Sequence, residues 1–317
     1  MAARVLRPLV SCVALALALL AGASAHAQSG ADPAPQQQRG GTYVEPPATV
    51  PPEYVPSAPD HPGETPYREP ALALRFTADI PLRHGPAPGA GAQGARPASP
   101  TLQAQLRWRP FDDRAWFAQA TAFAYVDKAR QRSWDPDFTY AFGYDDGQPG
   151  RWAFVYANYT GTRFQPDPAR GEQRWNFPQG QWTASYRVGL PEALRPWLLV
   201  GDGDAALCHA DANLVPRYSR VEGGFGADKA SLGLGCRYSR PEGWFAHATA
   251  LAWPDRARQQ PWDPDFVYGL GWTQPGPGGI TVQYANYSGN RWPGRARGAG
   301  EGTPRSGSIT VSWRLDW

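Results

Sequence analysis

From residue 71 to the C-terminus this chain is patterned with a period of two. Leu72, Leu74, Phe76, Ala78 and Ile80 alternate with Ala73, Arg75, Thr77 and Asp79. Leu102, Ala104, Leu106 and Trp108 alternate with Gln103, Gln105, Arg107 and Arg109, and Trp182, Ala184, Tyr186 and Val188 with Thr183, Ser185, Arg187 and Gly189. The last segment sets Ile309, Val311, Trp313, Leu315 and Trp317 against Ser308, Thr310, Ser312, Arg314 and Asp316. Successive side chains of a pleated strand point to opposite faces, so this pattern builds a sheet with one apolar and one polar face. Near 115–126 and 244–254 the inward face is ambiguous, because alanine fills one parity while Phe, Gln, Thr and His mix on the other.

Turn residues divide the region into twelve expected strands, at about 71–82, 101–109, 115–126, 137–144, 151–160, 181–190, 197–208, 230–239, 244–254, 265–273, 280–290 and 306–317. The connections alternate long and short. Short ones are expected at 110–114, 145–150, 191–196, 240–243 and 274–279, and long ones at 83–100, 127–136, 161–180, 209–229, 255–264 and 291–305. A transmembrane barrel has this asymmetry, with tight turns at the periplasmic end and longer loops outside, whereas a soluble sandwich has no reason to keep it. An even strand count returns both termini to the same side.

Composition agrees with that reading. Aromatic residues make up 13% of the chain and charged residues 19%, with 14 Trp, 35 Gly and a mean hydropathy of −0.52. Only every second residue of a barrel strand meets lipid, so a low mean hydropathy is compatible with a membrane location. The net charge is +3, and blocks of basic residues interleaved with aromatics are missing, which argues against a nucleic-acid partner. Residues 1–27 are expected to be a secretory signal: Arg4 and Arg7, an apolar run from Val10 to Leu20, and Ala25-His26-Ala27 as the small-x-small cleavage pattern. Leu9-Val10-Ser11-Cys12 resembles a lipoprotein box, but the apolar stretch follows Cys12 instead of preceding it. Residues 28–70 are rich in Pro, Gln and Ala and cannot bury enough apolar surface to order themselves, so they read as a periplasmic tether, or as a binding peptide for a periplasmic partner. Strand parity argues against a disulfide between Cys208 and Cys236: Cys236 falls with Leu232, Leu234 and Tyr238, and Cys208 with Asp202 and Asp204.

An internal repeat runs through the strand region. Trp134-Asp135-Pro136-Asp137-Phe138 returns as Trp262-Asp263-Pro264-Asp265-Phe266, and Tyr156-Ala157-Asn158-Tyr159 as Tyr284-Ala285-Asn286-Tyr287, both offset by 262 − 134 = 128 residues. Arg163 and Arg291 follow at the same offset, and Asp127-Lys128-Ala129-Arg130-Gln131 precedes the first motif as Asp255-Arg256-Ala257-Arg258-Gln259 precedes the second. This local identity suggests duplication of a six-strand unit, with halves at about 71–190 and 197–317.

With the signal segment, the alternation and the aromatic Ser308–Trp317 strand together, residues 71–317 resemble Gram-negative outer-membrane β-barrel proteins, and loosely the twelve-stranded small porins. The resemblance implies an outer-membrane location, lipid around the barrel, and recognition of the C-terminal strand by the barrel-insertion machinery. The expected fold is therefore all-β, a twelve-stranded antiparallel transmembrane β-barrel built from two six-strand repeats. Its expected role is a small channel for anionic or sugar-like solutes, or else a non-conducting structural or polysaccharide-binding barrel.

Two sets of residues are candidates for that role. Trp134, Asp135, Asp137, Asn158, Tyr159 and Arg163, with Trp262, Asp263, Asp265, Asn286, Tyr287 and Arg291, are expected at the outer ends of strands 4, 5, 10 and 11. They read either as loop-base ion pairs and girdle aromatics, or as a ligand site in which rings stack on sugar C–H faces and Asp, Asn and Arg meet hydroxyls. Arg75, Arg107, Arg109, Arg187, Arg237 and Arg314 lie on the polar parity and are expected to line the lumen, where they favour anions or neutralise nearby Asp residues. Inner-parity Gly143, Gly233, Gly235, Gly269 and Gly271 leave room for bulky facing side chains or a water path. Enzyme activity is not expected: His247 has no nucleophile paired with it by a motif, and nothing has the spacing of a metal or cofactor site.

Overall fold

The computed structural model describes residues 70–82, 99–128, 131, 135–158, 162–167, 174, 175, 177, 180–189, 199, 201, 203–218, 225–259, 263–274, 279–287, 289–295 and 303–317. The expected signal at 1–27 and all but the last residue of the tether lie outside them, as do Arg130, Trp134, Tyr159, Asp202 and Trp262.

Twelve antiparallel strands close into a ring: β1 (Leu72–Pro81), β2 (Thr101–Trp108), β3 (Trp116–Tyr125), β4 (Phe138–Tyr144), β5 (Trp152–Asn158), β6 (Gln181–Gly189), β7 (Ala205–Tyr218), β8 (Phe225–Ser239), β9 (Trp244–Ala252), β10 (Phe266–Thr273), β11 (Ile280–Asn286) and β12 (Ser308–Asp316). Each pairs with its sequence neighbours, and β12 returns to β1 in a register running from Ala73↔Asp316 to Pro81↔Ser308. Closure removes the open sheet edges, whose unpaired N–H and C=O groups would otherwise seek partners. The C-terminal aromatic completes the seam, since Leu72 and Trp317 exchange backbone hydrogen bonds of 3.2 and 2.9 Å.

Burial follows the dyad pattern. In β2, Leu102 and Trp108 are 57% and 53% exposed, while Thr101, on the other parity, is 8%. Registered neighbours share a face, so Phe76 with Trp313 and Ile80 with Ile309 extend the apolar exterior, and Thr77 with Ser312 extends the polar interior. The two ambiguous strands resolve the same way. Ala118, Ala120, Ala122 and Ala124 of β3 are exposed on the outer wall, and Phe117, Thr121 and Phe123 point inward. In β9, His247 and Thr249 share the inner face with Arg237 and Gly235 of β8.

The structure departs from the sequence reading around β7. The expected strand at 197–208 overlaps β7 only at 205–208, and β7 continues to Tyr218 through residues read as an outer loop. β8 begins at Phe225, so the expected long connection at 209–229 shrinks to 219–224, and the expected short one at 191–196 widens to 190–204. Ala210, Asp211, Ala212 and Asn213 are poor strand formers. Their pairing with Leu234, Gly233, Leu232 and Ser231 overrides that preference. The long–short alternation therefore fails at this pair of connections.

The same displacement corrects the cysteine reading. Gly203 has φ 79° and ends a turn, so Asp204 lies at the mouth of β7, where it accepts from the hydroxyl of Tyr238 on the Cys236 face, and its polarity does not mark an inward face. Cys208 shares the outward face with Ala210 and Ala212, directly opposite Cys236, and the two form a disulfide.

Candidate functional site

Two polar locks stand on the loop end of the barrel, and the repeat accounts for both. In the first, the Asp137 carboxylate accepts hydrogen bonds from Gln131 Nε2 at 2.8 Å, Arg163 Nη1 at 3.3 Å and the Phe164 backbone N–H at 3.1 Å. In the second, Asp265 accepts from Gln259 Nε2 at 2.8 Å, Arg291 Nη1 at 3.4 Å and the Trp292 N–H at 3.0 Å. Arg163 and Arg291 also donate to the carbonyls of Asp135 and Asp263. The backbone repeats as well: Asp137 N–H bonds Thr162 O at 2.8 Å, and Asp265 N–H bonds Asn290 O at 2.7 Å. β4/β5 and β10/β11 are six strands apart in a ring of twelve, so the locks face each other across the barrel.

The copies differ in depth. Asp265 also accepts from Arg295, and Asp263 pairs with Lys229 Nζ at 2.7 Å. At the position matching Arg295 (295 − 128 = 167) the first half carries Asp167. The side chain of Asp265 is 0% exposed, and that of Asp137 25%. Asn158 and Asn286 are fully buried, and Asn286 Nδ2 donates to Thr303 O at 2.9 Å. The described Asp and Arg candidates are thus brought together within each copy, but the structure spends their polar atoms on holding the loop bases, and Trp134, Tyr159 and Trp262 lie outside the described residues. Gln131, Gln259, Lys229 and Arg295 were missing from the candidate set. The two glutamines recur at the repeat offset, which is the signal that finds them.

Below each lock a loop folds down the outer wall over a tyrosine. The Tyr156 hydroxyl donates to Phe177 O and that of Tyr284 to Pro304 O, both at 2.7 Å. Gly180 and Gly307 permit this close approach, because a Cβ at either would collide with the tyrosine beneath.

The six arginines expected in the lumen all lie on inward-facing parity, toward the end of the barrel that carries the tight turns. The guanidinium of Arg107 stacks over Phe117 at 4.1 Å, and that of Arg237 over Phe245 at 3.9 Å. Nearer the loop end the wall turns to hydroxyls and amides, including Thr101, Gln103, Thr183, Asn213 and Thr310. The glycine spaces are taken by bulky neighbours: a Cβ on Gly235 would strike His209 and Thr249, and one on Gly269 would strike His247.

Neither a protein-family model nor a curated protein matches the chain. Among solved structures it is similar to an outer membrane channel from Pseudomonas putida F1, with 8% identity, coverage of 81% of this chain and 99% of that one, and a TM-score of 0.37. It is also similar to Salmonella typhi OmpF in complex with daunomycin, with 9% identity, coverage of 78% and 97%, and a TM-score of 0.26. The closed twelve-strand ring bears out the barrel class that the sequence resembles.

At the tight-turn end the arginines converge on Asp145, in the turn after β4. Arg187 grips its carboxylate with bonds of 2.6 and 2.9 Å, Arg109 donates to its carbonyl at 2.7 Å, and Arg107 stands 3.9 Å away. Burial would raise the Asp145 pKa. The hydrogen bond and charge of Arg187, the charge of Arg107 and the Gly147 N–H outweigh it and hold the group below the usual carboxylate range. The folded pKa is depressed, so the stabilisation is present above the unfolded value of about 4 and is lost as pH falls through the folded value. The Asp145→Asn variant is expected to lose stability at neutral pH and to match the wild type in strong acid, as measured by urea midpoints across that range. Among the described residues, no group of three His, Cys, Asp or Glu is placed to hold a metal ion.

Proposed function

We propose that the chain spans the outer membrane of a Gram-negative bacterium as a β-barrel channel for small anionic or sugar-like solutes. The supporting observation is the division of the wall. The exterior is aliphatic and aromatic, whereas the interior carries hydroxyls, amides and, at one end, guanidiniums that outnumber carboxylates among the described residues. A low-dielectric wall focuses that positive field on the solute path and favours anions. The locks hold the loop bases at the outer mouth, so Asp135, Asp137, Asp263 and Asp265 act at the approach to the lumen, and Trp134 and Trp262 are the sequence's candidates for stacking on a solute there. The C-terminal strand is the element offered to the insertion machinery, and residues 28–70 remain in the periplasm as a tether for a partner there.

Planar-bilayer recording of the folded protein tests this reading. Discrete conductance steps are expected, with a reversal potential displaced toward the anion equilibrium in a salt gradient. Replacing Arg75, Arg107 and Arg314 with Gln should move that potential toward the non-selective value. Folded protein without discrete steps would remove the channel. A second reading has its own support: His209, His247 and Phe245 fill the spaces at the inner-wall glycines, as in a non-conducting structural or polysaccharide-binding barrel. Glycan binding by a silent barrel, lost in the Trp134→Ala/Trp262→Ala variant, would select it.

A further inference from the structure

The β5–β6 loop places an aromatic ledge outside the barrel wall, and its repeat partner matches only the Phe164 part of it, with Trp292 stacked on Phe266 as Phe164 is on Phe138. Trp175 is 61% exposed, Phe177 41% and Phe164 57%. None of them belongs to a strand, so the alternation of a lipid-facing wall does not account for them. Their positions are fixed from beneath. The Tyr140 hydroxyl donates to Trp175 O at 2.8 Å, Phe138 packs edge-on against Trp175 with centroids 5.6 Å apart, and Tyr156 stacks on Phe177 at 4.5 Å. In the second half the same station holds Thr303, Pro304, Arg305 and Ser306, with no aromatic side chain. Among the described residues, the barrel thus fixes Trp175 and Phe177 in the open without a counterpart in the second half.

The charges beside the ledge indicate its occupant. Arg174, next to Trp175, is exposed. Among the described residues, the exposed charged side chains at this end of the barrel are Lys128, Arg174, Arg256, Arg258 and Arg305, against Asp167 and Asp255. At the tight-turn end the balance reverses, with Asp112, Asp113, Glu242 and Asp316 against Arg151. A cationic rim above an apolar belt, with tryptophan at the boundary, matches a molecule that is anionic at its head and hydrocarbon below. Indole settles at such a boundary, and a guanidinium donates two parallel hydrogen bonds to a phosphate.

We infer that Arg174, Trp175 and Phe177 form a docking site for the phosphorylated headgroup of a lipid in the leaflet around the loop end. Trp175 and Phe177 lie against its uppermost hydrocarbon, and Arg174 pairs with its phosphate. This rests on the transmembrane reading above, but not on an open lumen.

The full chain, folded in a neutral detergent, is titrated with diphosphorylated lipid A, and lipid retention is read by native mass spectrometry. Retention by the wild type is expected, with Arg174→Gln and Trp175→Ala each weakening it about tenfold, the scale of one charge-assisted contact. Both changes lie on the surface, and heat-modifiable gel migration confirms that the variants are folded. Dephosphorylated lipid A should bind about as weakly to the wild type as the intact lipid does to Arg174→Gln. Equal retention by wild type and variants, indifference to the phosphates, displacement by millimolar inorganic phosphate, or a lipid-independent pair of chains in the spectrum would each overturn the inference. Failure to insert into vesicles of any composition would overturn the transmembrane reading instead, so the two failures are distinguishable.

Discussion

Replacing Cys208 or Cys236 by Ser is expected to cost about 3–4 kcal/mol of barrel stability, from the entropy of a chain cross-linked over a sequence separation of 28. The hairpin they close needs the constraint. β7 and β8 are the two longest strands, yet the outward residues flanking Cys208 are Ala206, Ala210 and Ala212, and inward β8 carries Gly233 and Gly235. Strands faced with alanine and glycine define their register weakly, and a slip of one residue would turn every side chain to the wrong face. A covalent link between directly opposed residues removes that slip. Urea titration in lipid vesicles, followed by tryptophan fluorescence, should show each single variant unfolding earlier, and reduced wild type should unfold with the variants. Coincident midpoints for oxidised and reduced protein would sink this account.

The second large effect is expected at the deeper lock. The Asp265→Ala variant removes a fully buried carboxylate and leaves Arg291 and Arg295 facing each other without it, a loss of about 3–5 kcal/mol. Asp137→Ala removes the matching group from a more exposed lock that carries Asp167 where the deeper one carries Arg295, and about 1–2 kcal/mol is expected there. The pair serves as its own control, because both variants break the same bonds to a glutamine, an arginine and a backbone N–H. Equal urea midpoints for the two would mean that burial does not set the cost.

The period-two pattern carried most of the fold. Where bulky apolar residues alternate with polar ones, as in β1, β2, β6 and β12, strand and facing were both legible. Legibility failed where side chains are small. The alanines of β3 and β9 left their facing open, and the Ala210–Asn213 stretch of β7 reads as loop because its pairing with β8, not its own preference, makes it a strand. The cysteine pairing was lost with it, since aspartates beside a turn suggest an inward face, whereas Asp204 meets Tyr238 on the face of Cys236. At the locks, the 128-residue offset located the clusters, but burial could not be read from it. Asp137 and Asp265 occupy the same five-residue motif, and among the described residues Arg295 and Lys229, outside that motif, set the second lock apart.

The β1–β12 seam also sets a schedule. Its two sides are the first and the last of the described strands in chain order, so the cylinder stays open until β12 has been made. A stop codon between Asn286 and Ser308 would therefore release an eleven-strand sheet with two raw margins in place of a slightly smaller barrel.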